Sequence, residues 1–131
     1  MAKVNKVLEY PVEKVWEVIS DRSGKFRNDI QEIKIKDGIY TERTFDGQWT
    51  KYEELVREAP HHYQVHITNR KTDIIFTAHL KALSPNQTEV QLEQEEDKEK
   101  KMWLFSAFFV DSEKMLLRYL YEIQKILESL V

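Results

Sequence analysis

Turn signals punctuate the middle of this chain at short intervals: Asp37-Gly38, Asp46-Gly47, Pro60, Lys71-Thr72 and Ser84-Pro85-Asn86. A helix of ordinary length does not fit between them, whereas strands of about five to ten residues do. Segments 31 to 36, 39 to 45, 48 to 57, 62 to 70, 73 to 82 and 88 to 95 are therefore predicted as consecutive antiparallel strands. The opening AKVNKVLEY, rich in β-branched residues and closed by Pro11, adds a seventh.

Two helices are predicted to flank this run. In YPVEKVWEVISDRSGKF, Val12, Val15, Trp16 and Ile19 recur at three- and four-residue spacing, while Glu13, Lys14 and Glu17 face away. Pro11 suits the first turn, where its missing N–H is no loss, and Ser20, Asp21 and Ser23-Gly24 end the helix. From Ser112 to Leu130 a second stripe collects Leu116, Leu120, Ile123, Leu127 and Leu130, with Tyr119 and Ile126 beside it. Asp111 or Ser112 is its expected N-cap. The preceding MWLFSAFFV is apolar almost all round, too short to span a membrane, and reads as buried helix or as a lid over an apolar space. Each helix has one apolar face that must lie on the sheet, so the expected class is α+β.

Composition narrows the function classes. A chain of 131 residues suits one domain, residues 1–131, with a core of its own. The absence of cysteine removes disulfides, thiolate metal sites and cysteine nucleophiles, and fits a reducing compartment. No apolar run follows Lys3 and Lys6, so neither a signal peptide nor a membrane span is expected, and the reading is a soluble, cytoplasmic protein. With a net charge of −3 and its Lys and Arg residues scattered among acids, the chain lacks the electrostatic footprint of a nucleic-acid binder.

A two-residue loop at Lys71-Thr72 would set Ile67 opposite Phe76, Val65 opposite Ala78 and Tyr63 opposite Leu80. All these apolar side chains then share the inner face, with His62, Gln64, His66, Thr77, His79 and Lys81 on the other. Carrying that parity back through a four-residue turn at 58 to 61 and a two-residue turn at Asp46-Gly47 assigns Val56, Glu54, Tyr52, Thr50, Phe45, Arg43, Thr41 and Ile39 to the inner face.

The order of these elements resembles the START-like, or SRPBCC, superfamily. YPVEKVWEVISD follows the first strand, FRNDI leads into the second, TFDGQWTKYEELVREAP crosses the third and fourth, and a long amphipathic helix comes last. The resemblance spans essentially the whole chain. It implies a helix-grip fold, a curved seven-stranded antiparallel sheet wrapped around the C-terminal helix, with an apolar cavity between them for a small hydrophobic ligand. Polyketide cyclase/dehydratase-like proteins and the major birch pollen allergen are of this superfamily. The chain departs from the pattern at Phe26-Arg27-Asn28, where many relatives carry Trp-X-Pro, and it matches no catalytic motif.

The expected cavity lining is Phe26, Thr41, Arg43, Tyr52, Glu54, Tyr63, Val65, Ile67, Phe76, Trp103, Phe109, Leu116 and Tyr119. Two readings of the aromatics are open: they fill the core, or they line a ligand site. Arg43 and Glu54 are two charges on an apolar face, and a buried charge needs a partner. Either they meet the polar group of a ligand, Arg43 as donor and Glu54 as acceptor or as an acid or base of raised pKa, or they are solvated, or a bulge turns them outward. His62 and His66 lie four residues apart, about 13 Å along a strand, and His66 and His79 are diagonal neighbours without a carboxylate, so no metal site is expected. No cofactor is expected, since the three glycines form no phosphate loop. Three classes of function follow: carriage of a small hydrophobic molecule, an enzyme of the cyclase/dehydratase type, or a protein-interaction surface bearing Trp49, Lys51, His66 and His79.

Overall fold

A computed structural model describes residues 2–23, 30–70, 72–96 and 112–130. Its elements are β1 (Ala2–Leu8), α1 (Val12–Ile19), β2 (Ile30–Lys36), β3 (Ile39–Thr44), β4 (Trp49–Glu58), β5 (His62–Thr68), β6 (Asp73–Ser84), β7 (Gln87–Glu96) and α2 (Ser112–Ser129). The seven strands form one curved antiparallel sheet in the order β1-β7-β6-β5-β4-β3-β2. Every strand from β2 onward pairs with its successor, and β1 closes on β7.

The helices sit where their stripes require. Val12, Val15, Val18 and Ile19 are buried, and Trp16 packs edge-on to Tyr63 at 6.0 Å. Just ahead of α1, the backbone carbonyl of Tyr10 accepts a 2.8 Å hydrogen bond from the buried Thr88 hydroxyl, which ties the approach to α1 onto β7. Along α2, Leu116, Leu120, Ile123 and Leu127 are buried, whereas Leu130, beyond the last turn, is exposed. Burying each of those four side chains is worth roughly 1.5–3 kcal/mol, so the stripe as a whole rivals the net stability of a small domain. Docking of α2 is therefore part of folding, and it packs against β1, α1 and β7.

Register departs from expectation at three places, each with a local cause. Thr68 pairs with Asp73, so the ladder stops at these two residues, and the Asn69 N–H donates to the Thr72 carbonyl at 2.9 Å just beyond them. Tyr63 consequently faces Ala78, Val65 faces Phe76 and Ile67 faces Ile74. The shift is two residues, which leaves every side chain on its expected face.

At the next turn the errors cancel. Glu58 pairs with His62, one residue tighter than a four-residue turn, but the register shifts between Glu54 and Val56. Glu54 and Tyr52 therefore keep the inner face opposite Val65 and Ile67, whereas Arg57 rather than Val56 stands inside, opposite Tyr63.

The β3–β4 turn decides the most. Thr44 N–H bonds the Gln48 carbonyl at 3.1 Å, so Phe45-Asp46-Gly47 is a three-residue loop. Gly47 takes the left-handed position at φ 86°, and the Asp46 carboxylate accepts from the Gln48 N–H at 3.1 Å and from the Thr44 hydroxyl. One extra loop residue reverses the parity of β3. Tyr40 and Glu42 pair with Tyr52 and Thr50 on the inner face, and Ile39, Thr41 and Arg43 point to the outer one. Phe45 is an exposed loop residue. By contrast Asp37-Gly38 is the expected two-residue turn, with both residues at positive φ.

Candidate functional site

Between the inner face of the sheet and α2 lies a partly open cavity of about 810 Å3. Its floor is made by β2 to β7, its roof by α2 and one end by the last turn of α1 and the residues after it. A straight helix cannot fill the concave side of a twisted sheet along its full length, and the space is left where the two diverge. Seven of the expected residues line it: Tyr52, Tyr63, Val65, Ile67, Phe76, Leu116 and Tyr119. Phe76 and Tyr119 meet edge-to-face at 5.3 Å, joining floor to roof.

The remaining expectations divide. Phe26, Trp103, Phe109 and the MWLFSAFFV segment lie outside the described residues, as does Asp111. Thr41 and Arg43 do not belong to the site, because the Phe45-Asp46-Gly47 loop turns them to the outer face. There Arg43 Nη2 donates to Glu32 Oε2 at 3.2 Å and its guanidinium covers Trp49, with Lys34 Nζ 5.2 Å from the same ring.

Glu54 is inside, with a side chain only 7% exposed, but it is held by the protein itself. Arg57 Nε donates to Oε1 and Oε2 at 3.2 and 3.1 Å, and Arg57 Nη2 donates to Oε2 at 2.7 Å. Arg22 adds an ion pair at 3.4 Å. Burial alone would push the Glu54 pKa up, but the hydrogen bonds from Arg57 and the two guanidinium charges outweigh it and hold the carboxyl below its ordinary range. That corrects the acid-or-base reading of raised pKa. Arg57 also donates from Nη2 to the Ser20 carbonyl at 2.6 Å, placing a cation at the C-terminal end of α1, where the helix dipole favours it. Its guanidinium lies 5.4 Å from the Tyr63 ring centre and 5.9 Å from that of Trp16.

Four functional candidates were not in the expected set. Tyr40 and Glu42 enter with the reversed β3, and nothing in TFDGQ distinguishes a two-residue from a three-residue loop beforehand. Glu42, 5% exposed, accepts a short hydrogen bond from the Tyr52 hydroxyl. Tyr40 stacks on Tyr52 at 4.6 Å and 3°, and burial pushes its hydroxyl pKa up to about 12. Arg57 reaches the inner face only because of the register shift before it. Gln94 had a legible signal, since it continues the inward alternation of Thr88, Val90 and Leu92, and it lines the cavity at 5% exposure.

Tyr63 is the strained member of the group. Its hydroxyl is sealed from solvent beside Tyr40 and Glu54 yet has no hydrogen-bond partner of good geometry. Burial first, then Tyr40 and Glu54, drive its pKa far above the ordinary value, so it stays neutral.

On the outer face the histidines pair differently from expectation. His66 is not the diagonal neighbour of His79 but pairs with Ile75; His62 stands opposite His79, the two rings stacked at 4.6 Å, and carboxylates are at hand: Glu58 lies 3.1 Å from His62 Nδ1 and Asp73 2.6 Å from His66 Nε2. Among the described residues, no three His, Cys, Asp or Glu side chains converge as metal ligands. Nor, among them, is any helix long and apolar enough to cross a membrane.

Solved structures share this architecture at low identity. A conserved protein from Geobacillus kaustophilus is 14% identical with a TM-score of 0.67, over 97% of this chain and 94% of that one. A protein from Mesorhizobium loti is 13% identical with a TM-score of 0.70, over 97% of both chains. DynU16, a protein of the dynemicin biosynthetic locus, is 12% identical with a TM-score of 0.69, over 97% of this chain and 46% of that one. No family model matches the sequence, and no curated protein does either. What these likenesses establish is the fold: an α+β curved seven-stranded antiparallel sheet with a C-terminal helix against its concave face.

Proposed function

We propose that this chain is a START-like, helix-grip protein that binds a small, largely apolar molecule between sheet and C-terminal helix. The observation that carries the reading is the cavity itself. Its volume of about 810 Å3 falls within the range of roughly 300–1,000 Å3 typical of small-molecule sites. The sheet side of the wall is mostly apolar and aromatic, with Glu42 and Gln94 as its polar members, the balance expected of a pocket that gains affinity from desolvation and orientation from a handful of hydrogen bonds.

Charges are arranged to suit this use. Asp21, Arg22, Arg118, Glu122 and Lys125 reach the cavity from its helical borders, where Arg118, Glu122 and Lys125 are solvent-exposed. Glu54, on the inner face though not itself in the cavity lining, is neutralised by Arg57 and Arg22, and the lining carboxylate of Glu42 is engaged by the Tyr52 hydroxyl.

Native mass spectrometry of freshly purified protein, followed by organic extraction, tests the proposal. A bound hydrophobic molecule that is lost when Val65→Trp fills the floor is the expected result. A clean unliganded mass, with no thermal shift across a panel of lipids and aromatic metabolites, would overturn it.

A further inference from the structure

The deep wall of the cavity carries one polar side chain that the protein leaves unused. Gln94 is 5% exposed, lines the cavity, and its amide makes no hydrogen bond with any described residue. It stands opposite Phe76, whose other cross-strand neighbour is Val65, so the amide is set in an apolar row that ends on the already paired Glu54. The amide is open to the cavity rather than sealed in protein, so its hydrogen-bonding capacity is directed at whatever occupies that space, whereas an apolar residue of the same shape would pack the wall with no polar group to satisfy. An inward glutamine is thus a poor choice for a wall that only packs.

We propose that Gln94 is the orienting group of the cavity, and that it selects a neutral, carbonyl-bearing apolar molecule such as a ketone, ester or amide. The proposal rests on the ligand-binding reading above and names the chemistry of that ligand. A carboxamide N–H donates to a carbonyl oxygen without the desolvation that an ion would demand. Anionic ligands are disfavoured at this depth, because Glu42 and Glu54 are carboxylates of the inner face, Arg22 and Arg57 are engaged by Glu54, and Arg118 and Lys125 lie out on α2; a cation would lose its hydration in an otherwise apolar space. Tyr63 does not compete for the role, since its hydroxyl is sealed from the cavity space.

Two naphthalene probes of similar bulk separate the possibilities. Prodan carries a ketone whose emission moves to the red when it accepts a hydrogen bond, and N-phenyl-1-naphthylamine has no carbonyl. Both are titrated into the wild-type protein, Gln94→Met and Gln94→Leu, with circular dichroism confirming that each variant is folded. The expected result is that both probes bind the wild type. Gln94→Met then weakens Prodan about fivefold, the worth of one neutral hydrogen bond, and shifts its bound emission to the blue, while N-phenyl-1-naphthylamine is unaffected or tighter. If both probes bind and neither variant changes Prodan affinity or emission, Gln94 is merely solvated and the inference fails while the cavity reading stands. If neither probe binds, the cavity reading fails and this inference falls with it.

Discussion

The hydroxyl of Tyr52 donates to the carboxylate of Glu42 diagonally across the β3–β4 ladder, two residues along β3 from Tyr40, on which Tyr52 lies flat. A carboxylate that is 5% exposed is held in the cavity wall by a donor on the neighbouring strand. Tyr52→Phe keeps the ring stack and removes that donor. It should lower stability by about 1–3 kcal/mol, the cost of a poorly satisfied buried group, read as a lower urea midpoint. An unchanged midpoint would mean that the other contacts of Glu42 suffice.

Arg57 joins Glu54, the end of α1 and two aromatic rings. Arg57→Met preserves much of the packing and strips the charge. Its side chain is 30% exposed, so the loss should fall below the 3–5 kcal/mol of a fully buried pair, at about 1–3 kcal/mol. Adding Glu54→Leu should recover part of that loss, and a double-mutant cycle showing no coupling would refute the pairing as a source of stability.

The lowered pKa of Glu54 has a direction in pH. Its folded-state value lies below the ordinary 4.5, so its contribution is complete above that value and is lost as pH falls through the folded one. Wild type and Glu54→Gln should therefore differ in melting temperature by a constant amount near neutrality and converge under acid conditions. A gap that widened on acidification would contradict the assignment.

Gly47 sits at φ 86° with open space where a Cβ would project. Gly47→Ala should thus cost only the backbone term, about 1–2 kcal/mol, without a steric clash. A larger loss would indicate that the whole β3 register depends on this loop, a dependence that the exposure of Trp49 to quencher would report in a background where Trp16 and Trp103 are replaced by Phe.

Because the chain has no cysteine, register can be trapped chemically. Ile67→Cys with Ile74→Cys places thiols on directly paired residues, whose Cα atoms lie about 4.5–5.5 Å apart, within disulfide range. That pair should oxidise readily. Ile67→Cys with Phe76→Cys, which a two-residue turn would bring together, should not.

Much of this molecule is legible in its amino acids, and the limit has a simple origin. Element order, both helix stripes and the inner face of β5 and β6 follow from periodicities that survive a shift of two residues. Facing is lost when a shift is odd. The loop at Phe45-Asp46-Gly47 differs from a two-residue hairpin by one residue, and that residue exchanges Arg43 and Thr41 for Glu42 and Tyr40 in the cavity wall. The irregularity beside Leu55 does the same for Val56 and Arg57, so Arg57, three residues from Glu54 in sequence, becomes its partner only through a shift that parity does not reveal. Local hydrogen-bond competition in a turn decides such matters, and composition carries little trace of it.

The pairing of β1 with β7 sets a schedule for the growing polypeptide. Ala2–Leu8 is made before the other six strands, but its partner is Gln87–Glu96, so it waits until the last of them is made, while β2 to β7 have neighbours made just before or after them. Closing that long loop is a non-local event with a high entropic cost, of the kind that slows folding. Until it closes, the free flank of β7 and the apolar stripe of α1 are open to chance encounters with other chains.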